Sequence, residues 1–191
     1  MDWILASASP RRKELFAEIV EKFDIIPARG EEKADEGLSP EDLVKVLAEQ
    51  KAAEVSALPQ AKGKAVLGSD TVVALHGEVL GKPRDEQDAI RMLRALSGRT
   101  HEVLTGVCIF YPSAEGVSKI TAAACTKVQF LPLTDEQIRA YVATGSPMDK
   151  AGAYGIQDGG LVEKIDGSFS NVVGLPLELC KELIEKIKKS V

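Results

Sequence analysis

The chain has 191 residues, of which 45% are apolar and 28% charged, and its formal net charge is −5. This length and composition are typical of a globular protein that buries a substantial core. The acidic balance argues against bulk electrostatic binding of nucleic acid, so a site for anions would have to concentrate its basic residues locally.

The three cysteines lie far apart in the sequence, and none forms a Cys-x-x-Cys pair. An odd number of isolated cysteines favours reduced thiols in a cytoplasmic protein over a disulfide framework or a zinc site. The sequence opens without a basic segment followed by a long apolar stretch, and no apolar run approaches the ~18 residues of a membrane-spanning helix. We therefore expect no export signal and no membrane partner.

The chain begins with an apolar strand over residues 3–6, a polar loop and then an amphipathic helix. Ser9 is a favourable N-cap for this helix, and Pro10 suits its first position. Arg11 and Arg12 follow at once, so two guanidinium groups lie at the positive end of a helix, where phosphate binds. Alternatively, Ser9 only caps the helix and the arginines are solvated.

A second strand over residues 25–28 and an acidic loop over residues 30–37 precede a helix that begins after Ser39 and runs to about Ala57. Lys51 falls on the apolar face of this helix, where ammonium groups are normally absent. The position predicts a lysine that points into a cleft toward an anion, unless its ammonium group only extends past the edge of the apolar stripe.

Residues 65–85 hold the least ordinary pattern in the sequence. Two apolar, strand-like runs are interrupted at Gly68-Ser69, and Asp70 stands directly before the second run. A buried carboxylate is rare unless it is paired or binds a metal. A tight turn at His76-Gly77 then predicts a hairpin with Asp70 at one end and Lys82 at the other. The alternative is an ordinary hairpin with a surface aspartate and a surface lysine.

The remaining pattern alternates helices with strands. In order, we predict a helix from Asp85 to Gly98, antiparallel strands over residues 101–111 and 117–131, a helix with a capping box from Thr134 to Val142, a hairpin of residues 161–165 and 169–173, and a last helix after Pro176. Residues 144–160 form a long loop, and such loops in compact domains are usually functional. Asp149 and Lys150 there suit a local ion pair, and the Gln157 amide can both donate to and accept from a base edge.

The unusual residues share one chemistry, which consists of hydroxyls, guanidinium and ammonium groups, and one or two carboxylates. This set suits an oligophosphate with a divalent cation, because arginine and lysine neutralise phosphate, and aspartate holds Mg²⁺ or takes a proton from water. The sequence has no Gly-x-x-x-x-Gly-Lys-[Ser/Thr], which excludes a P-loop protein. No Gly-x-Gly-x-x-Gly follows a strand, which disfavours a dinucleotide-binding unit.

Six ordered motifs resemble those of the Maf family of nucleoside triphosphate pyrophosphatases, once described as septum-formation inhibitors. They span nearly the whole chain and are LASASPRR at residues 5–12, GSDTV at 68–72, GKP at 81–83, LSGRTH at 96–101, MDKAGAYGIQ at 148–157 and VGLP at 173–176. The fifth motif is similar to that of the subfamily that hydrolyses dTTP and UTP, and differs from that of the subfamily acting on 7-methyl-GTP.

This resemblance implies an α/β fold over residues 1–191, with one Maf-like domain, a twisted mixed sheet flanked by helices and two lobes around a cleft, similar to the inosine triphosphate pyrophosphatases. It implies that dTTP, UTP or modified pyrimidine triphosphates are hydrolysed to the monophosphate and pyrophosphate in a cytoplasmic house-cleaning role. It also implies a divalent cation, Mg²⁺ or Mn²⁺, and a homodimer. The alternatives are a nucleotide-binding regulator of cell division that needs no turnover and, with less support, a nucleotide or sugar-phosphate transferase.

At the matching positions, the resemblance implies a role for each candidate residue. Asp70 is similar to the family's proton acceptor, but a carboxylate beside a metal is a poor base, so Asp70 would alternatively be a metal ligand. Glu32 is a second candidate for the metal. Arg11, Thr71 and Gln157 are similar to the residues that set base preference. The phosphate and metal region would be lined by Ser7, Arg12, Lys51, Lys82, Asp149 and Lys150.

Two positions depart from the family's pattern, and both lie beside the implied base pocket. Asp158 follows Gln157, where family members usually carry glycine. Ser146 stands before Pro147, where glutamate is frequent. These departures bear on the preferred base and leave the expected reaction unchanged.

Overall fold

The structure, a computed structural model, describes residues 1–35 and 37–190. Within these residues the chain forms seven β-strands and six α-helices, joined by loops and short 3₁₀ turns. The strands are β1 (Trp3–Leu5), β2 (Phe23–Ile25), β3 (Ala65–Leu75), β4 (Glu78–Leu80), β5 (Thr100–Ser113), β6 (Gly116–Phe130) and β7 (Val162–Asp166). The helices are α1 (Pro10–Ala17), α2 (Pro40–Ser56), α3 (Glu86–Leu96), α4 (Asp135–Ala143), α5 (Phe169–Val173) and α6 (Leu177–Ser190).

The strands form one mixed sheet, in which β2, β1, β3, β5, β6 and β7 lie side by side and β4 pairs with the far end of β3. β1 runs parallel to β2 and β3, whereas the other pairs are antiparallel. Successive side chains of a strand face opposite sides, so Ile4 packs against Val55 of α2 and Leu5 packs against Phe16 of α1. The predicted α/β fold with a mixed sheet flanked by helices is confirmed. The two lobes and the single domain over residues 1–191 stay predictions.

One edge of β3 is open in its middle. On that edge, β1 ends opposite Leu67 and β4 ends opposite Val73. Between these points, residues 68–72 have no partner among the described strands, although their other edge pairs continuously with β5. Asp70 and Thr71 lie in this interval and face opposite sides of the sheet. Side chains from both faces therefore border the same opening, and the segments after β1 and β4 begin beside it.

Helix α2 lies close against the sheet because glycines replace side chains beneath it. A Cβ on Gly68 would lie 2.5 Å from the carbonyl oxygen of Ala48, and one on Gly106 would lie 2.1 Å from that of Val44. The predicted interruption at Gly68 and Ser69 is therefore wrong, because the glycine admits the helix and β3 continues through it unbroken. This contact places α2 over the open part of β3.

The predicted hairpin of residues 161–165 and 169–173 is wrong in its second half. β7 forms and pairs with β6, but the second segment is helix α5. The Ser168 side chain caps this helix by accepting the N–H of Asn171 at 3.2 Å. The buried Asn171 amide donates to the backbone of β5 and to Thr126 of β6. The aromatic and β-branched composition favours a strand, but the capping and tertiary hydrogen bonds form with this segment as a helix.

The other predicted helices and strands are present, with small shifts of their ends, whereas the predicted acidic loop over residues 30–37 includes position 36, which lies outside the described residues. β2 covers Phe23–Ile25 and not residues 25–28. Helix α4 has the predicted capping box, formed between Thr134 and Gln137. Among the described residues, no helix combines the length and apolar character needed to cross a membrane.

His101 of β5 is buried in an aromatic cluster with Phe130 and Tyr154. Its Nε2 shares a hydrogen bond of 2.8 Å with the Tyr154 hydroxyl, whereas Nδ1 has no partner among the described residues. Burial lowers the pKa of His101 from 6.5 to about 4. The folded state therefore holds a neutral imidazole at pH 7 and resists its protonation.

Gly106→Ala should destabilise the fold, because the added methyl group has no space beneath α2. We expect the free energy of unfolding, measured by urea denaturation, to fall by about 3 kcal/mol. Gly81→Ala is the matched control, since a Cβ there meets no atom within 4 Å, and it should change stability by less than ~0.5 kcal/mol. Equal effects of the two substitutions would contradict the close contact between α2 and the sheet.

The free energy of unfolding should decrease as the pH falls from about 6.5 toward about 4, because the unfolded chain takes up a proton that folded His101 resists. The folded pKa lies below the unfolded one, so this contribution is complete above the upper limit and is lost progressively below it. The loss attributable to His101 is up to roughly 3 kcal/mol. Denaturant unfolding at a series of pH values measures it.

Comparison of two variants separates this effect from the titration of carboxylates. His101→Gln should give a protein whose stability depends less on pH over this interval. His76→Asn is the control, because His76 is exposed in a turn with a φ of 52°, which asparagine tolerates. A His101→Gln profile parallel to that of the wild type would contradict the assignment.

Candidate active site

A cleft of about 460 Å³ opens at the unpaired part of β3. Its walls come from the first turn of α1, α2, the end of β4, residues 149–157 and the C-terminal end of α5. All but one of the predicted site residues line it, namely Arg11, Arg12, Glu32, Lys51, Asp70, Thr71, Lys82, Asp149, Lys150 and Gln157. The exception is Ser7, which is buried and accepts the N–H of Ser9 at 3.2 Å. Its contact with substrate stays a prediction, whereas Ser9 itself lines the cleft.

Asp70 is 8% exposed and is paired with a lysine from α2. The ammonium group of Lys51 contacts Oδ1 of Asp70 and lies 2.9 Å from Oε1 of Glu32. Lys51 leaves the apolar face of α2 beside the residues that press against the sheet, as its position in the sequence indicated. Two carboxylates thus converge on one cation at the opening in β3.

Arg12 is held rigidly on the opposite side of the cleft. Its Nε donates to the carbonyl oxygen of Gly174 at 2.8 Å, and one terminal nitrogen donates to Thr71 Oγ1 at 3.0 Å. Burial lowers the pKa of Arg12, and the nearby Asp70 carboxylate opposes this change. Because an arginine guanidinium stays charged in proteins, the wall carries a fixed positive charge.

The hydroxyl of Thr71 belongs to a chain of hydrogen bonds whose direction can be assigned. Thr105 Oγ1 lies 3.1 Å from the carbonyl oxygen of Asn171, and a carbonyl can only accept. The single proton of Thr105 is therefore used there, so the 3.0 Å contact between the two threonine hydroxyls requires Thr71 to donate. Thr71 also accepts from Arg12. In this arrangement the Thr71 hydroxyl cannot donate a hydrogen bond to a ligand and can only accept one.

Asp149 links two cations at the mouth of the cleft. Its carboxylate lies 3.4 Å from Arg11 Nη1 and 2.8 Å from Lys150 Nζ, so the predicted local ion pair is present. Burial acts to raise the pKa of Asp149, but these two cations outweigh it and the pKa is lowered. Asp149 is exposed, and exposed ion pairs are weak, so a polyanion can replace the carboxylate at little cost.

The cleft concentrates positive charge in an acidic protein. Five cationic side chains and three carboxylates line it, although the formal net charge of the chain is −5. The exposed Lys82 adds its ammonium group at the rim, from the segment after β4. Other parts of the wall are apolar and include Leu43, Leu47, Val72, Val79 and Tyr154. A cationic half and an apolar half suit a molecule with a phosphate chain and a flat ring.

Two carboxylates of the cleft are candidate ligands for the divalent cation that the sequence predicts. In the part of the chain that the structure describes, no three His, Cys, Asp or Glu side chains are grouped to hold a metal by themselves. Asp70 and Glu32 nevertheless present oxygens to the same cation, Lys51. Since Mg²⁺ is usually bound by one or two carboxylates together with substrate phosphates, this donor set fits a metal that arrives with its substrate.

Sequence reasoning missed the residues that support the site from behind. Thr105 and Asn171 orient Thr71 but were not candidates. The alternation of residues along β5 does mark Thr105, because its hydroxyl stands at a buried position between Val103 and Val107. The carbonyl oxygen of Gly174, which accepts from Arg12, is a backbone group and has no signature in the sequence.

Comparison with solved structures identifies the fold. A HAM1 protein from Coxiella burnetii superposes with a TM-score of 0.55 over 97% of this chain and 99% of that chain, at 14% sequence identity. At this identity the likeness concerns the fold alone.

Comparison of sequences is more specific. The model of the Maf family, described as Maf-like protein, matches residues 2–187. Proteins named dTTP/UTP pyrophosphatase from Geobacter sulfurreducens and Thermococcus gammatolerans are 49% and 48% identical, covering 97% and 95% of this chain and 95% of each relative. A protein of the same name from Bacillus velezensis is 51% identical over 91% of this chain and 90% of its own length. The family indicated by the six sequence motifs is therefore confirmed, and the chain belongs to the Maf family.

Proposed function

We propose that this protein hydrolyses dTTP and UTP to the nucleoside monophosphate and pyrophosphate. The observation that carries the proposal is the position of Asp70, a buried carboxylate that faces a cleft with five cationic side chains. The names of relatives 48–51% identical to the chain support the substrates.

The cations would act by screening charge. A nucleoside triphosphate carries about four negative charges, which repel an attacking water or hydroxide. Arg12, Lys51 and Lys82 would neutralise this charge, most strongly where it accumulates on the departing pyrophosphate. Arg12 is already fixed by Gly174 and Thr71, so little reorganisation is needed when the phosphates bind.

Asp70 would engage the attacking water. Lys51 contacts Oδ1 of Asp70, and Oδ2 accepts no hydrogen bond from the described residues. The free oxygen can orient a water or take its proton. Substrate phosphates would compete with Asp70 for the Lys51 ammonium group, which would free both carboxylate oxygens during the reaction.

We propose that Asp70 and Glu32 hold the divalent cation, Mg²⁺ or Mn²⁺, together with phosphate oxygens of the substrate. The metal would supply positive charge at the phosphates and would acidify a bound water. Asp70 is then a ligand or a base, and in both roles its charge is indispensable.

Base preference would follow from the fixed direction of the Thr71 hydrogen bonds. Uracil and thymine carry a ring N–H between two carbonyl groups, whereas cytosine has an unprotonated nitrogen at the same position. Thr71 offers only a lone pair, so it would accept the N–H of uracil or thymine and repel the cytosine nitrogen. Arg11 and the Gln157 amide line the same cleft and would donate to the carbonyl oxygens.

We further propose the homodimer and the cytoplasmic location that the family resemblance implies. The free thiols of Cys108, Cys125 and Cys180 are in keeping with a reducing compartment.

Asp70→Asn should nearly abolish hydrolysis, because the neutral amide can neither take a proton nor hold a divalent cation well. We expect pyrophosphate release from dTTP with Mg²⁺ to fall at least about 100-fold. Asp135→Asn is the control, since this exposed carboxylate pairs with Arg94 on the surface and the variant should keep full activity. Undiminished turnover by Asp70→Asn, or release of orthophosphate by the wild type, would contradict the proposal. A pure nucleotide-binding regulator would keep its cellular effect in the Asp70→Asn variant.

Thr105→Val should weaken the discrimination between bases. The valine removes the acceptor of the Thr71 proton, so Thr71 becomes able to donate to a cytosine nitrogen. We expect the ratio of kcat/KM for UTP to that for CTP to fall by roughly tenfold. Thr105→Ser keeps the hydroxyl and should keep the ratio. A Thr105→Val enzyme that loses activity equally on both nucleotides would show that Thr105 only packs.

A further inference from the structure

Residues 155–158, the segment that carries Gln157, are hydrogen-bonded to helix α4 at both ends. The Tyr141 hydroxyl of α4 accepts the N–H of Gly155 at 3.0 Å and donates to Oδ2 of Asp158 at 2.5 Å. One phenol oxygen therefore joins the residues that begin and end this short turn. Gln157 lies between the two attachments, exposed at the cleft.

A second contact reinforces the attachment at Asp158. The Ser146 hydroxyl donates to the same carboxylate oxygen at 2.7 Å. Lys150 Nζ donates to the carbonyl oxygen of Ser146 at 2.5 Å and lies 3.1 Å from its hydroxyl. Ser146 and Asp158 are the two positions where the sequence departs from the family pattern, and the structure brings them into direct contact.

The Tyr141, Ser146 and Asp158 side chains lie behind the cleft wall and are not part of its surface. Tyr141, Ser146 and Asp158 do not line the cleft, whereas Gly155 and Gln157 do. The packing behind the wall is tight, because a Cβ on Gly155 would lie 2.8 Å from Lys150 Cε and 3.1 Å from Asp158 Oδ2. Tyr141 can therefore affect a ligand through residues 155–158, whereas Ser146 also contacts Lys150, which lines the cleft itself.

Beyond Asp158 the chain provides little restraint of its own. Gly159 and Gly160 have φ values of 73° and 75°, in the region that favours glycine. Because glycines leave the backbone many conformations, the orientation of the Gln157 amide depends on its attachments.

We propose that Tyr141 and Asp158 are positioning residues that hold Gln157 in the orientation needed to recognise the base, so that base selectivity depends on two side chains outside the cleft. The inference rests on the proposed function, because it deepens the account of how that site selects its nucleotide. A side-chain amide distinguishes bases only when its carbonyl and amino ends are fixed relative to the ring.

The protonation states support this arrangement. Burial raises the pKa of Tyr141, and the hydrogen bond to Asp158 raises it further, so the phenol keeps its proton and donates. Burial acts to raise the pKa of Asp158, but the hydrogen bonds from Tyr141 and Ser146 outweigh it and the pKa is lowered. The ionised Asp158 carboxylate accepts hydrogen bonds from two hydroxyl groups, and hydrogen bonds to a charged acceptor are stronger than those between neutral groups.

Tyr141→Phe removes one oxygen atom and with it both attachments. The measurement is calorimetric binding of non-hydrolysable α,β-methylene analogues of UTP and CTP. We expect the ratio of the two dissociation constants to shrink by roughly fivefold to tenfold, about the effect of one hydrogen bond. Asp158→Asn, which keeps the size of the side chain but weakens the acceptor, should reduce the ratio less. Tyr111→Phe is the matched control, because Tyr111 lies near the other end of β5, where it packs with residues of α1 and α6, and it should leave the ratio unchanged.

A double-mutant cycle with Gln157→Ala tests whether Tyr141 acts through Gln157. Tyr141→Phe should have no further effect on selectivity in the Gln157→Ala background, because nothing is left to position. Binding of inorganic tripolyphosphate, which has no base, should be the same in the wild type, in the Tyr141→Phe and Gln157→Ala variants and in the double variant. Additive losses, or a parallel loss of tripolyphosphate binding, would mean that Tyr141 has a general structural role and would overturn the inference.

The assay also separates this inference from the proposed function. Pyrophosphate release is measured on the same proteins with dTTP and UTP. If the wild type binds the UTP analogue selectively and the cycle is non-additive, the inference is supported even when no pyrophosphate is released, and only the proposed hydrolysis is contradicted. If hydrolysis occurs but Tyr141→Phe keeps full selectivity, the inference alone fails.

Discussion

The close contact between helix α2 and the sheet is the constraint on which the site depends. Without side chains at Gly68 and Gly106, the backbone of α2 rests directly on β3 and β5. This brings the Lys51 ammonium group to the Asp70 carboxylate. A partly buried ion pair loses much of its hydration, and that loss can exceed its Coulombic gain. The pair is therefore better explained as a prepared reaction site than as a source of stability.

The open interval in β3 explains how one substrate can meet both faces of the sheet. Asp70 and Thr71 are neighbours in sequence, but one faces α2 and the other faces Arg12 and α5. In a continuous sheet a ligand could reach only one of them. Because β1 ends before this point and β4 covers only the far end of β3, the proposed function would place phosphates near Asp70 and Arg12 and the base near Thr71. On that proposal, the residue that engages water and the residue that contacts the base are neighbours in the sequence.

The parts of the site that could be predicted from the sequence are those that violate a simple pattern. Lys51 stands on an apolar helical face and Asp70 stands in an apolar strand, so the sequence alone marks each as a candidate. Thr105 and Tyr141 do not depart from any sequence pattern, because a threonine in a strand and a tyrosine on a helix are both common. Their roles follow only from the residues that they contact in the folded protein. Helix α5 was missed for the same reason, because Asn171 favours it through tertiary hydrogen bonds.

The two departures from the family pattern illustrate the limit of position-by-position reasoning. Considered separately, Ser146 removes an expected carboxylate and Asp158 adds an unexpected one, and each would disturb the charge around Lys150. In the structure the two side chains are hydrogen-bonded to each other, and Lys150 contacts Ser146. One negative charge is thus retained in this network, although it stands at the other end of the loop. The charge near Lys150 can therefore stay the same although both positions differ from the family pattern. It depends on the contact between Ser146 and Asp158 and not on either residue alone.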